Sequence, residues 1–214
     1  MNIVKTAIIV IVLLIVLSFI SYFIPYKEII SSIPFLNSIY NNASLTVNSK
    51  NGKALVFVDG KEYGETPTTI TNLIPGEHFV ELQRVSDTKD LYQKKEITIT
   101  IQRGTEAIID YEISPGGITS GYVLYYTTSY KSAKDNGFLT ITSKQDNISI
   151  TLDDELLGKT PINAQSLKTK SYELKASKLG FEDLKFPIII RNGYNLNIQL
   201  LLLPIPTNLT KWTI

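Results

Sequence analysis

Apolar positions along this chain follow two different patterns. From Thr6 to Ile24, nineteen consecutive residues carry no charge. At about 1.5 Å rise per residue a helix of that length covers roughly 28 Å, close to the thickness of about 30 Å of a bilayer hydrocarbon core. The run predicts one transmembrane α-helix, with residues 1–25 as an N-terminal membrane anchor and membrane lipid as the partner of residues 6–24. Tyr22 and Tyr26 suit the far interface, Pro25 ends the helix, and Lys5 on the short side places the N-terminus in the cytoplasm and the rest of the chain outside. The competing reading is a cleaved signal peptide, but no small-residue cleavage site follows the run. Residues 26–42, interrupted by Pro34, read as a juxtamembrane stalk, or as an amphipathic turn through Ile29, Ile30, Ile33 and Leu36 on the membrane surface.

Beyond Asn42 the period changes to two, with Thr, Ile, Val and Tyr abundant and Gly, Pro, Asn and Asp between the runs, which is the signature of β-structure. Seven short strands are predicted near Leu45–Asn48, Ala54–Val58, Lys61–Tyr63, Thr68–Asn72, His78–Arg84, Gln93–Ile101 and Glu106–Ile113. Asp59-Gly60 between two of them is a two-residue hairpin signal, because a type I′ turn needs positive φ at both central positions. Gly64 followed by Thr66-Pro67 marks the exit from that hairpin, proline withholding a ladder donor. Pro75-Gly76 marks the next turn.

The pattern then repeats. At an offset of 94, Leu45, Thr46, Ser49, Lys50, Asp59, Gly64, Thr66, Pro67 and Leu73 fall on Leu139, Thr140, Ser143, Lys144, Asp153, Gly158, Thr160, Pro161 and Leu167; at 89, Tyr92, Ile99, Ile101 and Gly104 fall on Phe181, Ile188, Ile190 and Gly193. The predicted fold class is all-β: two tandem small antiparallel β-sandwich domains, residues 43–114 and 138–204, behind the transmembrane helix. Residues 115–137 form a Tyr-rich connection and 205–214 a C-terminal tail. Asp153-Asp154 replaces the Asp-Gly turn in the second copy with a less suitable pair.

The runs Val56-Phe57-Val58-Asp59-Gly60-Lys61, Gly64-Glu65-Thr66-Pro67 and Leu73-Ile74-Pro75-Gly76-Glu77-His78-Phe79-Val80-Glu81-Leu82 resemble the PEGA domain, a family of small β-sandwich modules of prokaryotic envelope and surface-layer proteins. The second copy keeps Gly158, Thr160-Pro161 and Leu179-Gly180-Phe181, and departs where Thr169-Lys170-Ser171-Tyr172 replaces the Pro-Gly-Glu-His turn. The resemblance implies an extracytoplasmic interaction or scaffold module with no catalytic residues to carry over. On that reading the turn residues Asp59, Gly60, Gly64, Thr66, Pro67, Pro75, Gly76, Gly158, Thr160 and Pro161 are structural.

Composition narrows the chemistry. Hydrophobic residues make up 43% of 214, enough for real cores, and 21 Lys plus Arg against 20 Asp plus Glu give no reason to expect nucleic acid. The absence of cysteine excludes disulfides, thiolate metal sites and a nucleophilic thiol. The single histidine, His78, lies on the same strand face as Val80 and Leu82 and has Tyr172 as its counterpart, so it reads as an edge residue and not as a general base. Asp153-Asp154-Glu155 could attract a hard cation, but it occupies a hairpin turn where acidic residues bond locally. No enzyme, cofactor or metal is expected. Tyr122, Tyr125, Tyr126 and Tyr130 in the connection form a candidate interaction surface, for stacking on sugars or anchoring a protein, with an extra strand packed on one of the domains as the plainer alternative. On the first copy's second strand, Leu55 and Phe57 are apolar where the sister strand is polar. The connection or the neighbouring module is expected to cover them and so dock the two domains. The function expected is envelope scaffolding or protein interaction at the cell membrane. The alternatives are a cell-wall or polysaccharide binder using the tyrosines, and an accessory subunit of an envelope complex.

Overall fold

The computed structural model describes residues 11–16, 18–19, 42–88, 91–129 and 135–205. The chain divides into two units, residues 1–40 and 41–214. In the first, residues 11–16 and 18–19 are helical; most of the predicted anchor, and the stalk up to residue 41, lie outside the described residues. Among the described residues no helix is long and apolar enough to cross a membrane.

The second unit holds the strands. The first module comprises β1 (Ala43–Asn48), β2 (Ala54–Val58), β3 (Lys61–Glu65), β4 (Thr68–Leu73), β5 (Gly76–Arg84), β6 (Lys95–Ile101) and β7 (Glu106–Ile113). After a 3-10 turn at Pro115–Gly117 comes β8 (Thr119–Thr128), and the second module follows as β9 (Asn136–Ser143), β10 (Ser149–Leu152), β11 (Glu155–Lys159), β12 (Ile162–Lys168), β13 (Ser171–Ser177), β14 (Leu184–Ile189) and β15 (Tyr194–Leu201). All seven strands expected in the first module are present, and β2 and β7 have the expected bounds.

The turns that shape each module are built the same way twice. Asp59 and Gly60 have φ of 52° and 80°, and Asp153 and Asp154 have 49° and 66°, so the Asp-Asp pair adopts the same left-handed turn as Asp-Gly. The leading aspartate explains the tolerance: Phe79 N–H donates to Asp59 Oδ1 at 2.9 Å, and Glu173 N–H to Asp153 Oδ1 at 2.9 Å, which ties each turn to the adjacent strand. The buried Thr66 hydroxyl accepts from Ala54 N–H at 3.0 Å, as the Thr160 hydroxyl does from Ile148 N–H at 3.1 Å. Both following Thr-Pro bonds are cis.

The strands form one seven-stranded sheet, in the order β12-β9-β15-β8-β7-β1-β4, and two four-stranded sheets, β3-β2-β5-β6 and β11-β10-β13-β14. This corrects the expected architecture in two respects. The modules are not separate sandwiches, because β8 pairs antiparallel with β7 on one side and with β15 on the other. Nor are they purely antiparallel: in each module the first and last strands pair in parallel, β1 with β7 and β9 with β15.

Each four-stranded sheet covers a different face of the long sheet, and the alternation of β8 decides which. Ile109 and Val123 lie opposite one another and belong to the first module's core; Leu124 and Ile198 lie opposite one another on the other face, in the second module's core. Ile109 and Ile198 are repeat equivalents, yet they pair with neighbouring residues of β8. A strand maps onto itself by a half-turn plus one residue. The two modules are therefore related about β8 by the strand's own screw, and β8 closes both cores.

Candidate functional site

The tyrosines singled out in the connection belong to this shared strand. Tyr122 is buried and stacks on Phe186, ring centroids 3.7 Å apart. Tyr126 is buried too, its hydroxyl donating to the Ile189 carbonyl at 2.7 Å and Arg191 lying 4.7 Å above its ring. Tyr125, half-buried, packs against the first module's core on the opposite face, and Tyr130 lies outside the described residues. The expected tyrosine surface is thus corrected for Tyr122 and Tyr126: a strand covered on both faces buries its aromatic rings. Burial pushes Tyr122 up to about 12, with the charge of Asp110 adding to it, and Tyr111 on β7 is pushed up to about 12 by burial alone.

Leu55 and Phe57 point away from their own core, as expected, and are half-buried. What flanks them differs from the expectation. They are paired with Gln83 and Glu81 on β5 and with Glu65 and Glu62 on β3, while β8 lies in the other sheet. The modules dock through the shared sheet and not through this face.

The two turns that carry ionisable groups serve the fold. His78 Nδ1 lies 2.7 Å from Asp59 Oδ2 and its Nε2 lies 2.7 Å from the Ile74 carbonyl; Tyr172 donates to the equivalent Lys168 carbonyl at 3.1 Å. Histidine and tyrosine thus reach the same backbone oxygen from equivalent positions. In the second module Lys170 Nζ takes the place of the imidazole, 2.7 Å from Asp153 Oδ2, and with the Glu173 N–H it holds Asp153 below the usual carboxylate range. Both oxygens of that carboxylate are engaged, one by Lys170 and one by the Glu173 N–H of β13. Among the described residues no three His, Asp or Glu side chains gather as a metal site would require.

Each module also locks one loop with a cation. Arg84 on β5 meets Glu112 at 3.3 Å, donates to the Asn51 carbonyl and lies 5.5 Å from the Tyr92 ring, while Asn51 N–H donates to Glu112 at 2.6 Å. Lys178 and Phe181 occupy the equivalent positions, with Lys178 donating to the Asp146 carbonyl. The Arg84–Glu112 pair is largely buried, and the sister position of Glu112 is Leu201.

Where the first module's small sheet ends, the long sheet continues beneath it and the step between them forms a groove of about 430 Å³. Its wall is β6 and its floor is β9 and β15, so both modules contribute. The floor mixes Thr142, Ser143, Lys144 and Gln199 with Leu200 and Leu201; outside the groove on the same sheet, Asn195, Asn197, Thr127 and Thr140 bond to one another across the strands at 2.9 to 3.2 Å. No motif in the sequence marks this groove, because its parts come from different modules. The PEGA domain profile matches residues 42–116 and 136–205, more than half of the chain. The chain belongs to the PEGA domain family. Each match coincides with one of the modules, and β8 lies wholly between the two PEGA matches. No curated protein matches the chain.

Proposed function

We propose that this protein is a non-catalytic binding scaffold of the cell envelope, a PEGA pair held outside the membrane by its N-terminal helix. The observation that carries the reading is β8: a chain that needed two independent modules would join them by a flexible linker, whereas this one spends the connection on a strand that fixes their relative orientation. Fixed spacing suits a protein that presents two surfaces to a partner at once. The uncharged run Thr6–Ile24 supports the anchor and Lys5 its orientation.

The reading is tested on the full chain in its own membranes. The protein should stay with the membrane after alkaline carbonate extraction, and protease added to intact cells should cut beyond Pro25. Crosslinkers placed on either module should capture the same envelope protein. Release of a mature chain beginning after Ile24, or a substrate turned over by the purified protein, would contradict it.

A further inference from the structure

The screw relation about β8 gives the residues of the groove between β6 and the long sheet a set of equivalents on the other face, and the two sets differ in charge. Around the groove lie Lys95, Glu96 and Thr98 of β6, Tyr111, Thr142, Lys144 and Gln199. Their repeat equivalents show what has changed. Lys144 corresponds to Lys50, whose charge acts on Asp110; Asp110 corresponds to Gln199, and Glu112 beside it to Leu201. Lys95 corresponds to Leu184, a buried core leucine of the second module. The groove therefore carries Gln199 and Leu201 where the sister positions carry carboxylates, and a second cation, Lys95, on the inward face of a strand where the sister position is a leucine.

That arrangement is unfavourable for the protein alone. Burial, and then the like charge of Lys144, push Lys95 below its ordinary value. Among the described residues neither lysine makes an ion pair; the nearest aromatic partner of Lys95 is the Tyr111 ring at 5.9 Å. Glu96 stands exposed at the rim, so the groove keeps an excess of one positive charge. Gln199 adds a side-chain amide to the groove, and Thr142 a hydroxyl that donates to the Ile198 carbonyl at 3.5 Å. Two cations, an amide donor and a walled floor are the chemistry that receives an anion's oxygens.

We propose that this groove binds an oxyanion, a phosphoryl or carboxylate group of a small ligand or chain end, between Lys95 and Lys144. The inference goes beyond the scaffold reading and does not depend on it, since it concerns a ligand taken up at the junction whatever partner the modules hold.

Calorimetric titration of the full chain in neutral detergent with pyrophosphate, with citrate and with uncharged trehalose tests it. At least one of the two anions should bind saturably, and trehalose should not. Lys95→Leu and Gln199→Asp, each importing the sister module's own residue, should each weaken binding about tenfold or more, and high salt should weaken it further. Lys50→Gln, at the sister position of Lys144 on the other face, should leave it unchanged. Pyrophosphate alone binding would assign a phosphoryl ligand, and citrate alone a carboxylate. Absence of saturable binding by both anions would overturn the proposal. So would equal loss in Lys50→Gln, or binding that survives both groove substitutions in variants that melt like the parent chain.

Discussion

At the scale of single residues, equivalent positions in the two modules do the same job with different chemistry. His78 and Tyr172 both reach the carbonyl four residues upstream, at 2.7 and 3.1 Å. His78→Tyr should therefore keep that bond and give up only the contact with Asp59, whose side chain is 54% exposed, at a cost below about 1 kcal/mol in denaturant unfolding. Loss of a measurable activity in that variant without loss of stability would contradict the non-catalytic reading. Tyr111 and Tyr122 carry a pH dependence of definite sign. Their ionisation in the folded protein is pushed up to about 12, above the ordinary value of 10.0, so the stability they contribute is complete below pH 10 and is lost as pH rises from there through 12. Titration of tyrosinate absorbance should show a late group of tyrosines that ionises together with unfolding. The Asp-Gly turn and the Thr-Pro exits were legible in the sequence because a left-handed φ and a missing N–H belong to single residues; the bonds that tie them to strands 12 to 20 residues away were not.

At the scale of elements, the strands of each module were legible for the same reason: one face is buried and the other wet, so period two is written into them. β8 was legible only as an extra strand packed on one domain; that it is shared by both was not, and its sequence shows why. Tyr122-Val123-Leu124-Tyr125-Tyr126 has no polar alternation, since even residues enter one core and odd residues the other. A continuous apolar run is how a strand covered on both faces reads, and in a connecting segment it invites the reading of an exposed aromatic patch. The parallel pairs β1–β7 and β9–β15 escaped the sequence as well, because nothing local links the ends of a module. Gly121 offers a direct probe of the element. Its φ is +124°, and a Cβ there would sit on the backbone oxygen of Asp110, across the β7–β8 pairing. Gly121→Val should destabilise the protein by about 2 kcal/mol or more, read in denaturant unfolding, whereas Gly60→Ala, with open space around it, should cost only the strain of its left-handed turn.

At the scale of the whole molecule, two PEGA modules share a strand and so cannot open independently without exposing an apolar face of β8. Val123 would be uncovered on one side, and Leu124 with the Tyr122 and Tyr126 rings on the other. Each large side chain withdrawn from water contributes roughly 1.5 to 3 kcal/mol, enough to bind the two foldings together. The groove that carries Lys95 and Lys144 exists only in this joined form, as it takes its wall from one module and its floor from the other. The most direct test of the account is native-state hydrogen exchange of the full chain under increasing denaturant, followed in β2 and β5 of the first module and in β10 and β13 of the second. The account requires amides of the two cores to merge into one opening transition of the same free energy, and Gly121→Val to lower both together. Two openings of different free energy, with Gly121→Val lowering only the first, would show that β8 is a spacer between independent modules.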